Sequence, residues 1–200
     1  MHGIVFAMDT ETATLICLRH AEARSGAGRQ RGAPLDPPLT VRGQEQAAAV
    51  ADQLGDRRAR MIFASDALRS QETAAIIAAD LGLHVEVVSA LSEVAIPAEV
   101  LRAWIVDGDL GARVADGETG RQVVERMTVA LTEIANKCQG QPVIVIGHVA
   151  SLTTGISALC HNGQSLWGAS LPHAVPFPLI RVGMRWQVQW PADPSQDGRQ

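Results

Sequence analysis

The stretch Thr14-Leu-Ile-Cys-Leu-Arg-His20-Ala-Glu-Ala23 decides how the rest of the chain is read. Leu15–Leu18 is short and unbroken in its apolar character, as expected of a central strand in a parallel sheet covered on both faces. It stops at Arg19-His20, and an aperiodic segment rich in Ser, Gly, Arg and Pro follows as far as Pro38. Open α/β sheets bind ligands just beyond the carboxyl ends of their strands. A guanidinium and an imidazole at that place suit an anion and a nucleophile. Taken alone, an Arg-His pair is more simply a half-buried histidine at a strand end. The decision therefore rests on what recurs further along.

Outward from this strand, Thr40 reads as an N-cap, and Gln44–Leu54 has the Ala-rich spacing of an amphipathic helix. Met61–Ala64 is a second strand, Ser65-Asp66 opens a helix over Ala67–Leu81, and Gly82 ends it. His84–Val88 is a third strand near a sheet edge. Leu91–Ile96 and Pro97 lead into a short helix, Ala98–Val106, and the Gly/Asp-rich Asp107–Gly117 is a loop. Thr119 caps a long helix to Asn136, with Val123, Met127, Ala130, Leu131 and Ile134 on one face. Val143–Ile146 is a buried strand that delivers Gly147-His148, and a helix over Ala150–Leu159 precedes an Asn162-Gly163 turn. Ala174–Val182 and Met184–Trp190 form a closing hairpin around Gly183, and two prolines place the first of them at an edge. Strands alternating with helices predict a three-layer α/β/α sandwich around a mostly parallel sheet.

The 200 residues suit one domain, 14–190, with a cap-like insertion at about 94–117, an N-terminal extension over 1–13 and a disordered tail over 191–200. A hydrophobic content of 46%, a charged content of 19% and a net charge of −4 describe a globular chain that binds neither nucleic acid nor an anionic membrane. The apolar Gly3–Met8 lacks a basic flank and is too short for a signal peptide or a membrane span. Cys17, Cys138 and Cys160 have no metal-ligand spacing and read as reduced thiols of a cytoplasmic protein. Arg24, Arg29 and Arg31 form either a solvated face or a cover over an anion. The edge strand would allow a homodimer.

Four segments place functional groups at strand ends: Arg19-His20, Arg69 in the helix after Ser65, Glu93 in Leu91-Ser-Glu93, and His148. Each has an ordinary explanation alone, a surface arginine or a solvated glutamate, but together they fit one chemistry. Two guanidinium forks match the oxygens of a phosphoryl group, and a helix start adds backbone donors. A neutral imidazole can attack phosphorus, a second can stabilise its oxygens, and a carboxyl can protonate the leaving alkoxide. The scheme needs no metal and no cofactor.

These residues carry a resemblance. Leu18-Arg19-His20, Asp36-Pro-Pro-Leu39-Thr40-Val-Arg-Gly43-Gln-Glu-Gln46-Ala47, Ser65-x-x-x-Arg69-x-x-x-Thr73-Ala74 and Gly147-His148 resemble, in order and spacing, the histidine phosphatase (phosphoglycerate mutase-like) superfamily. The resemblance implies a phosphoglycerate mutase-like fold, transient phosphorylation of His20, phosphate binding by Arg19, Arg69 and His148, and an acid for the leaving group. Val149 follows the second histidine where one branch has an Asp, so Glu93 is the acid expected from the other branch. Asp116-Gly117-Glu118 is similar to a Gly-Glu-Ser element of that branch, with a structural role at the long helix. Ala21 stands where glycine is usual after the first histidine and Val149 where a small residue is common after the second, and Ala23 and Arg24 stand near the place of a usual Thr and Asn.

The expected activity is a metal-independent phosphomonoesterase working through phosphohistidine on a small phosphorylated metabolite. The alternatives are a phosphoglycerate mutase-type phosphotransferase and a non-catalytic module binding a phospho-ligand or a protein. A glycolytic mutase is expected to carry a His-Tyr-Gly run after the acid; here Val-Ala-Ile-Pro follows Glu93, and the chain has no Tyr. Val94, Ile96, Val100, Leu101 and Trp104 either line an apolar cover over the pocket, favouring a bulky leaving group, or pack a core of their own. His173 is either at the pocket mouth or, the simpler reading, a hydrogen-bonded structural residue.

Overall fold

The register between two strands explains why one edge of the molecule collects the charged motifs. In the computed structural model, which describes residues 12–24, 36–55, 58–94, 100, 103–104, 109–112, 117–138, 140–160 and 171–191, six strands form one sheet. They are β1 (Thr12–Arg19), β2 (Met61–Ala64), β3 (His84–Val87), β4 (Val143–Gly147), β5 (Phe177–Val182) and β6 (Arg185–Val188), in the order β3-β2-β4-β1-β5-β6. β3, β2, β4 and β1 are parallel, and β5 and β6 add an antiparallel margin. Arg19 stands opposite Gly147 and Ala64 opposite Ile146, so His20, Ser65 and His148 leave the sheet side by side. The ladder runs one step further, with the His20 and Ser65 amides donating to the Gly147 and Ile146 carbonyls at 3.0 and 3.1 Å.

Alternation along the strands sorts the core into two layers. Leu15, Cys17, Phe63, Val143 and Val145 face α3 (Gly120–Lys137) and α4 (Val149–Leu159), where Met127, Leu131 and Leu152 meet them. Ile16, Leu18, Ile62, Ala64, Ile144 and Ile146 face α1 (Val41–Leu54) and α2 (Leu68–Leu81), where Val50, Leu54 and Ile77 meet them. Each fully buried aliphatic side chain contributes about 1.5–3 kcal/mol, so covering both faces of β1 and β4 is what holds the site's floor. α3 and α4 cross so closely that a Cβ on Gly155 would stand 2.4 Å from that of Met127. The result is an α/β sandwich with a mostly parallel sheet, as expected.

Several boundaries differ in instructive ways. β1 includes Thr12 and Ala13, paired with Val182 and Arg181, so the strand reaches into the stretch read as an extension. β5 is interior, not an edge. Its Pro178 is tolerated because its carbonyl accepts from Gln189 (3.1 Å), one residue past the end of β6, where the ladder is closing and a missing N–H costs least. β3 is the edge strand that the sequence predicts. Most of the helix expected at Ala98–Val106, the Asn162-Gly163 turn and the tail from 192 onward lie outside the described residues. The three cysteines are buried and free; burial pushes the Cys138 and Cys160 thiols up to about 11 and the Cys17 thiol higher still. Among the described residues no helix is long and apolar enough to cross a membrane.

Candidate active site

His20 is 6% exposed, and both its ring nitrogens are engaged. Nδ1 lies 2.7 Å from the Ala21 carbonyl, which can only accept, so Nδ1 carries the proton. Nε2 then holds the lone pair, and it accepts from Arg69 Nε at 3.1 Å. His148 mirrors this state. Its Nδ1 accepts from Arg69 Nη2 at 3.1 Å, leaving Nε2–H to donate to the Ser65 hydroxyl at 2.6 Å. One guanidinium therefore bridges two imidazoles whose centres are 5.0 Å apart. Its third arm, Nη1, pairs with Asp36 at 3.1 Å, and the other oxygen of Asp36 accepts from the Leu68 amide at the start of α2.

Burial first, and then the Arg69 and Arg19 charges with nearby His173, push His20 down to about 3, against the bond to Ala21. Burial and then Arg69, His20, Arg19 and Arg126 bring His148 down to about 2. Both rings are thus neutral near pH 7. An arriving dianion would shift that balance toward protonation, most usefully at His148.

The motifs that carry the family resemblance all hold this geometry. The Thr40 hydroxyl caps α1 through the Gly43 amide (2.9 Å), and the Thr40 amide donates to the Glu22 carbonyl (3.0 Å). A Cβ on Gly43 would sit 2.0 Å from that same carbonyl, so only glycine lets the loop after His20 press against the helix. Gln46 accepts from the Glu22 amide at 2.8 Å, and Ala47 is fully buried beneath. Thr73 accepts from the Ala21 amide at 3.0 Å while donating to the Arg69 carbonyl at 2.7 Å. Arg69 and Thr73, four residues apart on one face of α2, meet both rings and Ala21, while Ser65, from the turn that leads into the helix, meets His148. Ala21, where glycine is usual, is completely buried.

Arg19 donates from Nη1 to the Leu171 carbonyl at 3.0 Å, while its buried Nε has no hydrogen-bond partner among the described residues. An unpartnered buried donor costs about 1–3 kcal/mol, and an anion beside His20 would recover it. Burial lowers the Arg19 pKa, Glu93 opposes that shift, and Arg69 adds to it.

Glu93 is brought to the start of α4, which His148 caps. Its carboxylate accepts from the amides of Ala150 (3.2 Å), Ser151 (3.0 Å) and its neighbour Val94 (3.0 Å). The turn before it is anchored twice. Arg126 donates to the Ala90 carbonyl (2.6 Å) while forking onto Glu118 (2.6 and 2.8 Å), and the Ser92 hydroxyl donates to Asp66. The structural role expected of Glu118 takes this form, and Thr119 caps α3 in a reciprocal box with Gln122.

Two alternatives that the sequence leaves open narrow. Val94 and Trp104 are 8% and 2% exposed and belong to the core layer against α3, with Val100 packed on it, so they do not line a pocket. Ile96 and Leu101 lie outside the described residues. His173, read as structural first, has its ring 5.6 Å from that of His20. Ser65 and Asp36 were legible only as motif letters; their contacts with His148 and Arg69 were not.

Two imidazoles bridged by a guanidinium stand beside a second arginine at the carboxyl edge of a mostly parallel α/β sheet, a cluster whose charge and donors suit an anion. Residues 15–174 match the family model of the histidine phosphatase superfamily (branch 1), and the chain belongs to that superfamily. It is similar to the probable phosphoglycerate mutase GpmB of Yersinia enterocolitica, at 31% identity over 71% of this chain and 72% of that protein. It is also similar to GpmB of Escherichia coli O1:K1, at 27% identity over 89% and 92%. Among solved structures, Bacillus stearothermophilus YhfR superposes with a TM-score of 0.74 at 19% identity, covering 90% of this chain and 96% of that one. A mycobacterial glucosyl-3-phosphoglycerate phosphatase superposes at 0.70 with 22% identity, covering 90% and 98%. These two likenesses are of fold.

Proposed function

We propose that the chain is a metal-independent phosphomonoesterase that works through a phosphohistidine at His20. The observation that carries this reading is the bridging of His20 Nε2 and His148 Nδ1 by Arg69, a contact that calls for a lone pair on each nitrogen and so supports Nε2 as the attacking atom. In the first step Nε2 forms the N–P bond as the bond from phosphorus to the ester oxygen breaks. Arg69 turns its N–H groups from the rings to the phosphoryl oxygens, and Arg19 Nε and protonated His148 take the others. Glu93, in its carboxylic-acid form, gives its proton to the departing alkoxide and is restored by a proton from the water that cleaves the N–P bond, releasing inorganic phosphate and free His20. The positive charge that such a transfer requires is supplied by the two arginines and His148. A small phosphorylated metabolite is the substrate class. Val94 and Trp104 are committed to the core, so neither supports a preference for an apolar leaving group.

A second reading, a phosphoglycerate mutase, is favoured by the name of the GpmB relatives. Against it stand the absence of Tyr and the Val-Ala-Ile-Pro that follows Glu93. Incubation with 3-phosphoglycerate separates the two by product, 2-phosphoglycerate or inorganic phosphate. The primary test is phosphate release from an aryl phosphate at about pH 6 in EDTA, where we expect turnover in the wild type and a loss of about 10³-fold or more in His20→Ala. Equal rates in the two proteins would remove His20 as nucleophile and the mechanism with it.

A further inference from the structure

His20 is flanked by two imidazoles, and the mechanism above uses only His148. The second, His173, comes from the segment before β5, over a hundred residues from the nucleophile. Its ring centre lies 5.6 Å from that of His20, at an interplanar angle of 56°. The placement is imposed by the backbone: Arg19 and His173 form a parallel bridge, and the Ala174 amide donates to the Arg19 carbonyl at 3.0 Å. Ala174 adopts φ of +53°, a left-handed conformation that costs a non-glycine residue about 1–2 kcal/mol. The chain thus turns sharply just after the ring that it has delivered beside Arg19 and His20.

We propose that His173 is a third imidazole of the anion site, taking up a proton when a phosphate or sulfate dianion enters beside His20 and thereby becoming a charged contact to it. The proposal rests on the reading of this pocket as a phosphoryl site. The groups that face His173 electrostatically are Arg19 from β1, Glu22 from the loop after it, and Arg42 from α1, with His20 as its ring neighbour. Burial, and then Arg19 and Arg42, lower the pKa of the free ring below that of an ordinary histidine, against Glu22. A dianion reverses the sign of the field at that point, and the proton comes from solvent.

The test is calorimetric titration with sulfate, whose charge is constant over the working range, at about pH 6.5 in two buffers of different ionisation enthalpy. The full chain is compared with His173→Gln and His173→Asn, both of which keep a polar side chain at the turn. We expect either variant that folds to take up about one proton fewer per sulfate and to bind it about fivefold to tenfold more weakly. A residue that merely braces the segment would leave the proton count unchanged. Unchanged uptake and affinity in a folded variant, against a wild type that binds, would overturn the role of His173 and leave the phosphatase reading standing. Failure of the wild type to bind sulfate would remove the anion site itself, and both readings with it.

Discussion

Two flanks meet at the carboxyl edge of the sheet, and they are built on different principles. On the side of α1 and α2, nearly every polar motif residue holds a hydrogen bond whose far end is His20, Ala21, Glu22 or His148. On the side between β3 and α3, the turn carrying Glu93 is set by packing: Leu91, Val94 and Trp104 are buried against the layer of Val123 and Met127, with Arg126 and Glu118 as a polar clamp. The first flank tolerates little chemical change because directional bonds orient both imidazoles. The second can exchange apolar residues of similar volume. Substitution should separate function from stability along this divide.

Arg69→Lys should have the largest effect. Lysine keeps the charge but cannot hold one nitrogen on His20, one on His148 and one on Asp36 at once. We expect kcat/KM toward an aryl phosphate to fall by about 10³-fold, with a melting temperature close to wild type. A loss under tenfold would show that charge alone suffices and that the fork is not what the first flank is built to present.

Trp104→Ala probes the other flank. Trp104 is nearly fully buried, its Nε1–H donates to the Ala112 carbonyl at 2.7 Å, and its ring meets the backbone of α3 at Gly120. Truncation should cost about 3–4 kcal/mol in urea unfolding, while the ranking of phosphate esters stays as in the wild type. If the ranking moved and stability did not, Trp104 would be a pocket wall after all, and the contrast between the flanks would fail there.

This divide also governs what could be read in advance. Local signals served well: the Thr40 and Thr119 caps, the Gly82 stop and the span of β2 follow from a few neighbouring residues. Arg19, His20, Arg69 and His148 were legible because a strand register of whole residues must bring such strand ends together. What stayed hidden depends on distant chain. The interior position of β5 is decided by the pairing of β6 along its far side, two of the three amides that donate to Glu93 belong to a helix more than fifty residues away, and His173 is brought beside His20 by a backbone bond to Arg19. A run of Val94, Val100 and Trp104 reads equally as a lid or a core, since periodicity states that a face is apolar and not what covers it.

Thr73→Val carries the smallest expected effect and the finest discrimination between the flanks. The replacement is nearly isosteric, so the buried volume at this position is kept and only the hydroxyl is lost. That hydroxyl is the acceptor for the Ala21 amide, and Ala21 is completely buried, so the amide has no water to turn to. An unsatisfied buried N–H costs about 1–2 kcal/mol, to be measured by denaturant unfolding. The same peptide segment supplies the carbonyl that keeps the proton on His20 Nδ1. Relaxation at Ala21 should therefore loosen the tautomer as well as the fold, lowering kcat about threefold to tenfold with little change in KM. Thr73→Ser, which restores the hydroxyl, should recover both. A Thr73→Val enzyme with wild-type kcat would mean that His20 keeps its tautomer without help from α2, leaving Thr73 a stabilising residue of the same kind as Trp104.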